Sequence, residues 1–170
     1  NEKKDDTGFV SYWYMLPNFT KRHLPDLCMT RINAKAAECI FVPQKAGEPV
    51  AVDANFSTLW GQSERTIKIA FALLNSSWSK CYLEITSTVM GGGALKVEAS
   101  HIRKILFPQY SAEQLQSLAD YAEQLLKAKQ MTQELQDKID AVVVAPFGNE
   151  AVLLNEIRVL LNRKLLERGA

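Results

Sequence analysis

The side chains in this chain that could do chemistry are mostly cationic or aromatic. Tyr12-Trp13-Tyr14 precede Pro17, and Lys21-Arg22-His23 follow. Aromatic rings beside basic groups can stack on bases and hold phosphates. The same rings can equally be core payload on an entry strand. Lys21 and Arg22 lie in a Pro-flanked loop that presents them to solvent. Groups for covalent or metal chemistry are scarce. There is no GxxxxGK phosphate loop, no GxSxG elbow and no HExxH pair around His23 or His101. Gly91-Gly92-Gly93 lacks the glycine spacing of a dinucleotide site and reads as a tight structural loop where backbones approach closely. His23, Cys28 and Cys39 match no closed zinc spacing, so no metal is expected. Asp5-Asp6 fall in a polar start and are assigned no catalytic role.

The elements that position these groups fall into two parts, divided near Pro108. Asp26–Ile32 reads as a strand after a Leu-Pro break, and Glu38–Val42 as a second one closed by Pro43. Val50, Val52, Ala54 and Phe56 alternate with smaller or polar residues, the half-buried strand pattern. Ser63 opens a helix whose apolar face runs through Ile67, Ala70, Phe71, Leu74, Trp78, Cys81, Tyr82 and Ile85. Asn75-Ser76-Ser77 is expected to divide it in two. After the glycines comes a short run, Ala94–Val97, and Ser100 is expected to cap a last turn before Phe107-Pro108. Beyond this the pattern is helical. Ser111 with Gln114 is a capping box; Leu135, Ile139, Val142 and Val143 mark a second helix stopped by Pro146; Asn149 caps a third, with Leu153, Ile157, Leu160 and Leu161 inward. The expected class is α+β. Residues 1–110 form a small mixed β-sheet with packed helices, and residues 111–170 a tail of about three helices that packs on it or on a partner.

Composition sets the outer bounds. A chain of 170 residues, 47% hydrophobic and 23% charged, is ordinary globular material. No apolar run approaches the length of a membrane span. Residue 1 is Asn and the opening residues are polar, which reads as a piece of a longer chain starting in a linker. Three cysteines in apolar settings suit a reducing, cytoplasmic location. The net charge is only +1, yet residues 1–110 hold 13 Lys+Arg against 10 Asp+Glu and residues 111–170 hold 7 against 9. This is a mild asymmetry, and a solvated face accounts for it as readily as a binding surface does.

Four segments, taken in order, resemble a known family. Pro25–Ile32 is similar to a strand ending on a basic residue. Asp53–Leu59 is similar to a strand entered through Asn-Phe. Phe71-Ala72-Leu73-Leu74-Asn75-Ser76-Ser77 resembles a Leu-Leu-Asn-Ser helix end. Gly91–Val97 with Ile105-Leu106-Phe107-Pro108 resembles a glycine loop, short strand and closing Phe-Pro. Together they resemble the C-terminal target-recognition domain of adenine-specific DNA methyltransferases of restriction-modification type, over roughly residues 10–110. Type I restriction specificity subunits carry a similar domain followed by helices.

The resemblance implies a non-catalytic domain that holds and reads double-stranded DNA. In that family the S-adenosylmethionine cofactor and an Asn-Pro-Pro-Tyr-type motif belong to an upstream catalytic domain. No Pro-Pro occurs in this sequence, so no catalytic residue and no cofactor are assigned to it. An enzyme that extrudes a base needs a separate hold on the duplex. Cationic side chains on phosphates fix the register and base-edge contacts choose the sequence. By residue type and loop position, Arg31 suits guanine and Asn33 adenine, while Lys21, Arg22, Lys35, Arg65, Lys68, Lys80 and Lys96 suit phosphate. The alternatives are a protein-interaction module, with helices 111–170 pairing with a partner or forming a homodimer, and one half of a type I restriction specificity subunit.

Overall fold

The computed structural model describes residues 20–170, together with the backbone of a short antiparallel pair, β1 (Lys3–Lys4) and β2 (Val10–Ser11). Tyr12-Trp13-Tyr14 and Asp5-Asp6 lie outside the described residues. The remainder is α+β, as its patterning predicts. Strand β3 (Leu27–Thr30) is the centre of one antiparallel sheet, flanked by β5 (Cys39–Phe41) and β6 (Phe56–Leu59) in the order β5-β3-β6. Leu27 faces Phe41 on one side and Leu59 on the other. A second sheet has the order β4-β8-β7, built from Ile32–Asn33, Leu95–Lys96 and Thr88–Val89.

The single strand expected over 26–32 therefore breaks at Arg31. Its amide bonds Asn55 O on the first sheet's side, while its carbonyl accepts from Val97 N beside the second. One residue thus hands the chain from one ladder to the next. The alternation at 50–56 misleads more completely, because residues 50–55 form no strand. The Gln44 side chain takes both backbone groups of Val50, His23 O takes the amide of Val52, and Asp53 Oδ1 accepts from Asn55 N at 2.9 Å to close a turn. Local side-chain bonds have displaced the ladder.

Helix α1 (Glu64–Leu74) starts where Ser63 accepts from Thr66 N, and α2 (Ser77–Thr86) where Ser76 accepts from Ser79 N. Each serine satisfies an amide the helix cannot. The break between them is built by the Leu-Leu-Asn-Ser segment. Asn75 Nδ2 donates to Cys39 O and Asn75 Oδ1 accepts from Cys39 N, both at 3.0 Å. The side-chain amide thereby stands in for a neighbouring strand at the edge of β5. Ile85, expected on the inner face, is exposed. Helix α3 (Ala99–Ile102) follows Glu98, so Ser100 lies inside it rather than capping it.

Helices α4 (Ala112–Ala128), α5 (Gln133–Val144) and α6 (Glu150–Glu167) complete the chain. Ser111 and Gln114 form their capping box, with Gln114 Oε1 accepting from Ser111 N at 2.8 Å. Pro146 lies in a 3-10 turn after α5. Asn149 precedes α6 in a left-handed conformation, without a side-chain capping bond.

The main core joins both parts. Leu27, Met29, Phe71, Leu83, Leu95 and Val97 pack in one cluster with Leu118, Ala122, Ile139 and Val143. Each large apolar side chain so buried contributes about 1.5–3 kcal/mol. A satellite cluster of Cys81, Val144, Ile157 and Leu161 lies between α2, α5 and α6. Buried Asp140 on α5 accepts from Ser77 N (2.7 Å), Ser77 Oγ (2.6 Å), Gln136 Nε2 (3.0 Å) and Arg158 Nη2 (2.8 Å). It ties the start of α2 to both later helices. No helix of the described residues is long and apolar enough to cross a membrane.

Candidate nucleic-acid interface

Where the chain passes between sheets at Arg31, three charged side chains meet. Arg31 Nη2 lies 3.1 Å from Glu98 Oε1, and Lys96 Nζ lies 2.9 Å from the same oxygen. Strand β8 supplies Lys96, the turn before α3 supplies Glu98, and the β3–β4 junction supplies Arg31. Arg31 also donates from Nη1 to Ala54 O at 3.3 Å. Lys96, and then Arg31, hold the Glu98 carboxyl below the usual carboxylate range.

Arg31 and Glu98 lie at a groove of about 450 Å³ that runs between β6 and α3. Arg31, Phe56, Trp60, Ser100 and Arg103 line it. It adjoins a second cleft, of about 270 Å³, walled by Leu59, Trp60, Ile102 and Arg103. Trp60 is 39% exposed. Its indole Nε1 donates to Lys21 O at 2.9 Å and to Leu24 O at 3.2 Å, which anchors the ring by its edge. Arg103 is exposed just past α3. Two guanidiniums, a hydroxyl and an anchored indole around one groove can hold anionic oxygens and stack a flat ring.

The other cationic candidates are dispersed. Lys21 is exposed next to the Trp60 anchor, while the Arg22 side chain lies outside the described residues. Lys35 and Arg65 are exposed on separate elements. Lys68 on α1 is held by Glu64 at 2.7 Å and Glu123 at 2.6 Å, so it serves to join α1 to α4. Lys80 lies in a different cleft, of about 280 Å³, with Phe41, Leu125 and Met131. Its ammonium donates to Gln136 Oε1 at 3.1 Å, and burial pushes its pKa below the ordinary lysine value.

Asn33 is buried and turned inward. Its Nδ2 donates to Thr30 O at 2.8 Å, and its Oδ1 accepts from Thr30 Oγ1. In this conformation its amide is engaged within the fold.

The glycine triplet makes the β7–β8 turn, with Gly92 at φ +82° and Gly93 at φ +79°. A Cβ on Gly93 would stand 1.9 Å from Arg168 O, whereas one on Gly92 meets nothing within 4 Å. The close approach is therefore at Gly93 alone, and the chain's own C-terminal segment makes it.

Sequence reasoning overlooked Trp60 as a site residue and counted Arg103 only as charge. The one local signal was the exposed aromatic of Leu59-Trp60-Gly61. That Trp60 and Arg103 line one groove is a product of the fold. His101 Nδ1 accepts from Glu98 N at 3.1 Å, which is structural. Cys28, Cys39 and Cys81 are buried free thiols, and burial raises the pKa of each. Among the described residues no three of His, Cys, Asp and Glu are placed to hold a metal ion. Comparison with protein-family models, with curated proteins and with solved structures finds no match to this chain.

Proposed function

We propose that this chain is a DNA-binding specificity domain, which positions double-stranded DNA for adenine methylation by a separate S-adenosylmethionine-dependent domain of the same protein. In this reading it performs no catalysis itself and binds no cofactor. The observation that carries the proposal is the groove lined by Arg31, Glu98, Trp60 and Arg103, with Lys96 bound to the same Glu98 oxygen as Arg31. Cations at the mouth would neutralise phosphates, and an anchored indole offers a surface for a base. The motifs that resemble the target-recognition family supply the catalytic context.

The groove also suggests a division of labour. Arg31 reaches in from the sheet junction and is the candidate base reader. Lys96, which shares Glu98 with it, Arg103 in the groove and the exposed Lys21 are the phosphate holders. In solution the test is duplex binding against salt. Engaging Lys96, Arg103 and Lys21 with three phosphates would give a slope of about −3 in log K against log salt. A chain that binds no duplex at low salt, across a pool of randomised sequences, overturns the reading.

A further inference from the structure

Helix α6 carries two apolar faces. The inner one places Ile157 and Leu161 in the satellite core with Cys81 and Val144. The outer one is a line of large apolar residues spaced by seven: Val152, Val159 and Leu166, exposed by 61%, 60% and 76%. At about 100° per residue the three fall within about 40° of one line, and Val152 lies about 140° around the helix from Ile157. A helix on the surface of one domain needs a single apolar stripe. A second line of large apolar residues one heptad apart, with Asn155, Glu156, Asn162 and Arg163 between them, is half of a coiled-coil seam: apolar at one of its two core positions and polar at the other.

The flanks of this seam say what covers it. Glu156 and Arg163 lie along one side, Asn155 and Asn162 along the other, and all four are exposed. We propose that the outer face of α6 pairs with α6 of a second copy of this chain, antiparallel, about a two-fold axis at Val159. That arrangement sets Val152 against the partner's Leu166, Glu156 beside the partner's Arg163 and Asn155 beside the partner's Asn162. Every contact is then made twice, as a two-fold interface requires. A parallel pairing would put Glu156 beside the partner's Asn155 and leave both charges unmatched, so the charge pattern selects the antiparallel one. Arg163 is only loosely engaged within its own helix. Its Nε is 3.8 Å from Glu167, whose other oxygen binds Lys164 at 2.7 Å.

The seam from Val152 to Leu166 is about 21 Å long, on a helix of 18 residues. It sits at the small end of stable interfaces, so the dimer dissociates on dilution. The inference is independent of the groove and of its ligand.

Sedimentation equilibrium of the whole chain over a wide concentration range tests it. The expected result is a monomer–dimer equilibrium that Val159→Glu abolishes, with an unchanged circular-dichroism melt because Val159 is exposed. Glu156→Arg and Arg163→Glu should each weaken association about tenfold, and the two together should restore it. Val159→Cys should form a disulfide-linked dimer on mild oxidation, since the residue lies on the axis and the three native cysteines are buried. A monomer at all concentrations overturns the proposal, as does a dimer that Val159→Glu leaves intact or a double swap that fails to restore association.

Discussion

Arg168, the third residue from the end of the chain, forms a buried two-pronged ion pair with Glu84 on α2. Nε lies 2.8 Å from Oε2 and Nη2 lies 2.8 Å from Oε1. The same guanidinium donates to Gly93 O at 2.8 Å, Ala34 O at 3.0 Å and Lys35 O at 2.9 Å. One side chain thus joins the end of the last helix to α2, to the glycine turn and to the loop after β4. It fixes the end of α6 to the same body that α4 and α5 join through the main core.

Arg168→Ala should therefore be among the most destabilising single changes. It leaves the Glu84 carboxylate buried without its partner and strips donors from four carbonyls, those of Asn33, Ala34, Lys35 and Gly93. Removal of one member of such a pair costs about 3–5 kcal/mol. Arg168→Lys keeps the charge but not the planar fork, and should recover only part of the loss. Urea unfolding followed by circular dichroism measures both. Stability within experimental error of the wild type for Arg168→Ala would show that the pair contributes nothing net.

The glycine turn offers a paired comparison with a built-in control. Gly92 and Gly93 both have positive φ, so alanine at either bears a left-handed penalty of about 1–2 kcal/mol. Only at Gly93 would the added Cβ collide with a backbone atom, Arg168 O. Gly93→Ala should therefore cost clearly more than Gly92→Ala. Arg168→Ala keeps that backbone oxygen but removes the side-chain bonds holding it near the turn, so the gap between the two alanines should narrow in that background. Urea midpoints of the four variants decide it.

Local elements were largely legible in the sequence because their causes are local. Ser63 and Ser111 announce helices by capping chemistry, whereas the caps expected at Ser100 and Asn149 do not form. The break at Asn75 was visible, but its reason was not, since the amide answers a strand edge 36 residues away. The false strand at 50–56 shows the converse: a correct period lost to Gln44, whose side chain occupies the backbone of Val50. The Arg31–Glu98 and Arg168–Glu84 contacts span 67 and 84 residues. No spacing rule reaches them, so neither the floor of the groove nor the closing of the C-terminal segment could be read from the chain.

Acid should act on the groove through Glu98. Its carboxyl is held below the ordinary value in the folded chain, first by Lys96 and then by Arg31. The unfolded state therefore takes up a proton first as pH falls. The stabilising contribution is full above the ordinary carboxylate range and disappears as pH drops through the lowered value. Glu98→Gln should flatten that part of the acid limb in a plot of stability against pH and leave stability near neutral little changed, because the pair is exposed. An acid limb identical in the variant would remove Glu98 from the account.

The same carboxylate makes a directional prediction about binding. Glu98 neutralises Arg31 and Lys96 in the free protein, so an incoming phosphate must compete with it. Glu98→Gln should tighten binding to all duplexes alike and steepen the salt dependence. Lys96→Ala should weaken all sites uniformly and reduce the slope by about 1. Arg31→Ala should cost about 1–3 kcal/mol at a preferred site and relax sequence choice there. Trp60→Ala should weaken binding while leaving the slope unchanged, since an indole releases no counterion. Fluorescence anisotropy on a panel of duplexes at several salt concentrations separates these effects. If Arg31→Ala and Lys96→Ala act identically across the panel, the assignment of one to bases and the other to phosphates is wrong. If Trp60→Ala changes nothing, the groove between β6 and α3 is not where the duplex lies.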